Sequence, residues 1–198
     1  EEDPRKTEAL DEIERLDALD GKHADVATVL DRRAIDAGAA GDAAEEIRLL
    51  LRLAALQHDP IGDDEAAVGT YMRILERDGG HEGALRALAK LYEDASDWEQ
   101  MTTALERLAV TLSGEEAIAT WQRAAVIAAQ HLTDPARAEE ALRSAFELDP
   151  SSQKSRDLLK AHYVAHAAHE PLARMMLVEE AEATDPKIKV EILKKVAD

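Results

Sequence analysis

Apolar residues recur along this chain at helical spacing and almost nowhere at the two-residue spacing of a strand. Leu105, Leu108, Ala109 and Leu112 fall at i, i+3, i+4 and i+7, and Leu85, Leu88, Ala89 and Tyr92 repeat the pattern, which lays one apolar stripe along a helix. Start signals precede the stripes. Ser96-Asp97-Trp98-Glu99 and Ser113-Gly114-Glu115-Glu116 read as capping boxes, in which serine and glutamate satisfy orphan amides reciprocally. Thr133-Asp134-Pro135 and Thr184-Asp185-Pro186 place an aspartate N-cap ahead of a proline at the first helical position. Gly21, Gly38, Gly41, Gly62 and Gly79-Gly80 punctuate the intervals. The pattern predicts eleven helices, at about 5–19, 23–37, 43–58, 63–77, 81–95, 97–112, 115–131, 135–148, 152–168, 171–183 and 186–197.

The helices repeat. A shift of 71 residues matches Glu45 with Glu116, Ile47 with Ile118, Arg52 with Arg123 and Tyr92 with Tyr163. That interval divides again. The small or apolar residues Val26, Ala67, Met101, Ala138 and Ala173, each early in the second helix of a pair, lie 41, 34, 37 and 35 residues apart. The unit is therefore a helical hairpin of about 34–37 residues, and a fixed period of this size marks a stacked array. The expected organisation is one all-α array over 1–198, with hairpins at about 5–37, 43–77, 81–112, 115–148 and 152–183 and an extra helix at 186–197. In that extra helix Lys195-Val196-Ala197 falls where Arg52-Leu53-Ala54 and Arg123-Ala124-Ala125 fall. Either it caps the array or the chain is a segment of a larger protein, since an unpaired terminal helix exposes the next interface.

The residues carrying the period resemble tetratricopeptide repeats (TPRs), of the divergent type found in long bacterial arrays. Residues 134–150 are the clearest unit, with small Ala138 and Ala145 and the closing Leu148-Asp149-Pro150; residues 62–79 and 97–112 are similar. The first helices lack the family's Leu-Gly pair, and residues 21–62 carry extra length, which leaves HEAT-like helix pairs as the alternative. The resemblance implies a right-handed α-α superhelix of about five hairpins. It also implies a non-catalytic scaffold that docks a partner peptide or protein on the concave face formed by the first helices. The alternative function is a structural module that self-associates through its end helices.

Composition removes other classes. The chain has 198 residues, with 24 Lys+Arg against 42 Asp+Glu, a formal charge of −18, no Cys and no Asn. Phosphate backbones are repelled by such a charge, so nucleic acid is not an expected partner. Without cysteine there is no disulfide, thiolate nucleophile or cysteine-bound metal. There is no run of 18 apolar residues to span a membrane. A cytoplasmic location is expected, or a periplasmic or surface one if a leader was removed. The sequence contains no Gly-rich phosphate loop and no nucleophile elbow, so neither enzymatic activity nor a cofactor is expected.

Four groups are candidate sites. Fifteen residues before Ala67, Met101 and Ala138 stand Arg52, Arg86 and Arg123, with Lys90 one turn beyond Arg86 and Gln130 on the helix of Arg123. The resemblance places this position on the groove. Arginine grips carboxylates bidentately, so these residues suit an acidic or C-terminal peptide; alternatively Arg86 pairs with Glu82 at i, i+4. The family's chaperone-tail clamp needs groove asparagines, which this chain lacks. His162, His166 and His169 have the spacing of one helical face that could bind zinc or nickel, but a solvated histidine face is the expected reading, and no metal is assigned. Acidic runs at 1–3, 63–65 and 179–182 suit solubility or a basic partner. Tyr71, Tyr92, Trp98, Trp121, Phe146 and Tyr163 are expected in the core.

Overall fold

The computed structural model describes residues 22–182, together with Lys187, Lys189, Val190 and Lys194. The expected helix at 5–19 and most of the helix at 186–197, with Lys195 and the Thr184-Asp185-Pro186 start, lie outside the described residues. Among the described residues there are nine α-helices and no strand: α1 (His23–Ala40), α2 (Ala43–Leu56), α3 (Asp64–Arg77), α4 (Glu82–Asp94), α5 (Trp98–Thr111), α6 (Gly114–Gln130), α7 (Pro135–Leu148), α8 (Gln153–Ala165) and α9 (His169–Glu182). They fall into two compact units that divide between Thr111 and Leu112.

In the first unit each helix packs on its neighbour in the chain, α1 on α2, α2 on α3, α3 on α4 and α4 on α5. On α4 Leu85, Leu88 and Ala89 of the predicted stripe are buried, and on α2 Glu46, Leu49, Leu50, Leu53 and Ala54 are buried. Turns are held by short polar side chains. Asp42 accepts from the Glu45 amide at 3.0 Å and Asp63 from the Ala66 amide at 2.9 Å, satisfying donors that a helix start leaves orphaned. Gly41 closes α1 with φ 79°, a left-handed geometry that glycine adopts without steric cost.

Two starts differ from the expectation. Ser96 takes φ 56°, and it is Asp97 that accepts the Gln100 amide at 3.1 Å; the aspartate one residue on takes the cap. Ser113 precedes α6 but makes no side-chain cap bond. The extra length in 21–62 also has a form. α1 runs on to Ala40, and a kinked turn at Gln57–Ile61, with Asp59 extended at φ −142° and ψ 120°, links α2 to α3. That turn is pinned by Thr70 Oγ1 donating to Gln57 Oε1 at 2.7 Å and by a His58 Nδ1–Asp64 Oδ1 contact of 2.6 Å. The hydrogen bond to Asp64 raises the pKa of His58.

Polar links tie the first three helices across their faces. Arg73 on α3 donates to Asp31 on α1 at 2.6 Å, and Arg77 Nε lies 2.9 Å from Glu46 Oε2 on α2. Glu45 accepts from Arg48 Nε at 2.6 Å and from its Nη2 at 2.7 Å. That hydrogen bond to Arg48 holds the Glu45 carboxyl below its ordinary pKa.

The second unit packs α6 on α7, α7 on α8 and α8 on α9. Asp134 carries the predicted cap, accepting from the Arg137 amide at 3.0 Å, and Ser152 caps α8, accepting from the Ser155 amide at 3.3 Å. Glu179 on α9 meets Arg156 at 3.6 Å and Lys160. Alanine supplies much of both cores, including Ala84, Ala117, Ala124, Ala128 and Ala138. Helices can approach closely on such small side chains, and larger rings are displaced outward. Of the six aromatics expected inside, Tyr163 is buried and the other five are half-buried. No helix among the described residues is long and apolar enough to cross a membrane.

Candidate functional site

The small anchors that define the repeat are interior residues. Val26, Ala67, Met101 and Ala138 are 5%, 0%, 1% and 1% exposed, so the fifteen-residue step back to the arginines is a packing register; Ala173 is half-buried. In the first unit Arg52 on α2 is half-buried, and Arg86 and Lys90 on α4 are exposed. Arg86 Nε meets Glu82 Oε1 at 2.8 Å, and Lys90 meets Asp94 at 2.6 Å and Glu93 at 3.7 Å. The hydrogen bond to Asp94 raises the Lys90 pKa, so the ammonium stays charged. In the second unit Arg123 and Gln130 are exposed on α6.

The acidic runs are partly committed to structure. Asp63 caps α3, Asp64 binds His58, Glu179 binds Lys160, and Glu180 lies 3.4 Å from Lys189.

The histidines divide. The rings of His162 on α8 and of His166, which caps the end of that helix, lie 4.5 Å apart, centroid to centroid. The chain then turns at Ala167, φ 51°, and His169 begins α9. The expected three-membered face is therefore split between α8, its C-terminal cap and the start of α9. No cluster of three or more metal-binding side chains occurs among the described residues. Burial lowers the His162 pKa, and the neighbouring His166 adds to the shift. A histidine held neutral by the fold stabilises it above the ordinary pKa and loses that contribution as pH falls through the depressed value. His162 should therefore titrate by NMR below an ordinary histidine, and below its own value in a His166→Ala variant by less than the full shift. An ordinary value for His162 in the folded protein would contradict this.

Two concave surfaces were not anticipated. In the first unit a cavity of about 340 Å³ is lined by Ile35, Gly38, Ala39, Glu46, Arg73, Glu76 and Arg77. In the second unit a cleft of about 310 Å³ is lined by Glu115, Ile118, Ala119 and Gln122 on α6, by Asp149 and Ser152 in the α7–α8 turn, and by Lys154 on α8. The α6 set has i, i+3, i+4, i+7 spacing, so one stripe of the helix forms the wall. Gln122 is buried and donates through Nε2 to the buried Ser155 Oγ at 3.2 Å. A glutamine inside an alanine-rich apolar register was the one signal of this cleft in the sequence.

No family model and no curated protein matches the chain. Solved structures do. The Naa15/Naa10 complex bound to HypK-THB contains a chain 14% identical, matched over 87% of this chain and 29% of that one with a TM-score of 0.54. The fold is TPR-like. The crystal structure of MamA is 14% identical over 93% of this chain and 96% of its own, with a TM-score of 0.45. YrrB, described as a TPR protein with an unusual peptide-binding site, is 14% identical over 75% of this chain and 83% of its own, with a TM-score of 0.42. At these identities the likeness is one of fold. Within the first unit α2 packs on α3 and α4 on α5, and within the second α6 packs on α7 and α8 on α9.

Proposed function

We propose that the chain is a non-catalytic protein-interaction scaffold that docks a segment of a partner protein on the faces of its first helices. The observation that supports this is the register of the basic residues. Arg52 and Arg86 in the first unit, and Arg123 in the second, each stand fifteen residues before a second-helix anchor that is at most 1% exposed. Neither Arg86 nor Arg123 is buried, so core packing does not require a guanidinium at either place. Repetition of a planar, always-charged group at one position of the repeat suits carboxylates of an acidic or C-terminal segment. Lys90 and Gln130 extend these surfaces within their own units.

The test is affinity capture with the wild-type chain beside an Arg52→Glu/Arg86→Glu variant and an Arg123→Glu variant, all matched for helicity by circular dichroism. A partner retained by wild type should be lost from at least one variant. The same partners on all three proteins would move the interaction away from the arginine faces. Capture of the chain's own copies alone would replace docking with self-assembly.

A further inference from the structure

The end of α8 brings two imidazoles together. His162 stands in the last turn of the helix and His166 caps it one turn on, with ring centroids 4.5 Å apart. No other two histidines of the chain stand four residues apart. His162 is half-buried and His166 is exposed. From α7 the backbone of Pro135, which has only a carbonyl to offer, hydrogen-bonds the His162 ring, and the Glu139 carboxylate acts on it. A ring nitrogen tied to a carbonyl fixes the imidazole and leaves the other nitrogen to bind elsewhere. The last turn of α8 carries no lysine or arginine, and the C-terminal end of a helix favours added positive charge. The nearby charges have other partners: Lys160 is held by Glu179, Arg143 lies 3.7 Å from Glu147, and Glu170 meets Arg174. His169 lies past the turn at Ala167 and belongs to α9.

We infer that His162 and His166 form a binding site for a divalent transition-metal ion, Cu(II) or Ni(II), with water in its remaining positions. The ring separation selects the geometry. A metal about 2.0–2.1 Å from an imidazole nitrogen stands about 3.2 Å from the ring centre. Two rings turned on one ion with centroids 4.5 Å apart then subtend about 90° at it, whereas a tetrahedral ion would need them about 5.3 Å apart. A right angle belongs to tetragonal Cu(II) and Ni(II), and imidazole suits both. Once one ring has bound, the second meets the ion at the effective concentration of a tethered group, so the pair holds it better than either ring alone. Only neutral imidazoles ligate, and burial keeps His162 neutral to lower pH than an ordinary histidine. The negative charge of Glu139 offsets part of the cost of gathering positive charge here. The site does not depend on partner docking at the arginines.

The experiment uses the full chain, isotope-labelled, titrated with Cu(II) sulfate near neutral pH in a buffer that does not bind copper. One equivalent should give a tetragonal electron paramagnetic resonance spectrum with splitting from two nitrogens. Paramagnetic broadening of amide signals should begin at residues 162–166 and 136–139. His166→Gln, at an exposed position, should weaken binding about tenfold or more with helicity by circular dichroism unchanged. His169→Gln should bind as wild type does. Affinity should also fall about tenfold or more near pH 5, where protons compete for the rings. A spectrum with oxygen ligands alone, broadening that begins elsewhere, or equal affinity in wild type and His166→Gln would overturn the site. So would a loss in His169→Gln equal to that in His166→Gln, or an affinity unchanged near pH 5, which would make carboxylates the ligands.

Discussion

Truncating Leu85 to alanine should lower the stability of the first unit by about 2–5 kcal/mol. Leu85 is 0% exposed on α4, a helix that packs against α3 on one side and α5 on the other. Its loss removes buried methyl groups and leaves a cavity between neighbours that cannot all close on it, so transfer and cavity terms add. The surrounding core is rich in alanine, with Ala67, Ala84 and Ala89 all buried. Val110→Ala is the contrast, because Val110 is 73% exposed and its truncation should stay within about 0.5 kcal/mol. Urea unfolding measures both: the Leu85→Ala midpoint should fall with the slope unchanged. A Leu85→Ala cost no larger than that of Val110→Ala would mean that α4 is not an interior helix.

The helices were legible because their signals are local. Asp42, Asp63, Asp134 and Ser152 each stand next to the amide they satisfy, and Gly41 closes α1 where its conformational freedom is needed. Legibility failed where two local signals compete or where the partner is distant. Ser96 and Asp97 are both good caps, and only the backbone decides that Asp97 takes the amide. The kinked turn at Gln57–Ile61 showed as surplus length, but it is pinned by Thr70, thirteen residues on from Gln57. Aromatics look like core in any sequence; here alanine fills the interior and Trp121 and Phe146 are left half-buried. The same distinction governs the candidate sites. The arginine register is periodic and could be counted, as could the Glu82–Arg86 pair at i, i+4. The α6–α8 cleft joins Glu115 to Lys154, and no spacing rule brings residues so far apart in sequence together.

Removing Arg77 should be the most damaging single change among the surface charges of the first unit, costing about 2–3 kcal/mol. The Glu46 side chain is only 9% exposed, and its carboxylate meets Arg77 Nε at 2.9 Å. Breaking a fully buried pair costs about 3–5 kcal/mol because a charge is stranded. Arg77 itself is 51% exposed, so water reaches part of the vacated site and the figure falls toward the cost of an unsatisfied buried acceptor. Gly38 closes the other side: a Cβ there would lie 2.9 Å from the Glu46 carboxylate. The acid is thus held between a helix backbone and a guanidinium, and it cannot swing into α1. Arg77→Met alone should therefore lower the urea midpoint and hydrogen-exchange protection in α1–α3. Adding Glu46→Met should recover most of the loss, since two apolar side chains of similar length replace the pair. A double variant no more stable than Arg77→Met would show that the arginine acts through its packing and not through the carboxylate.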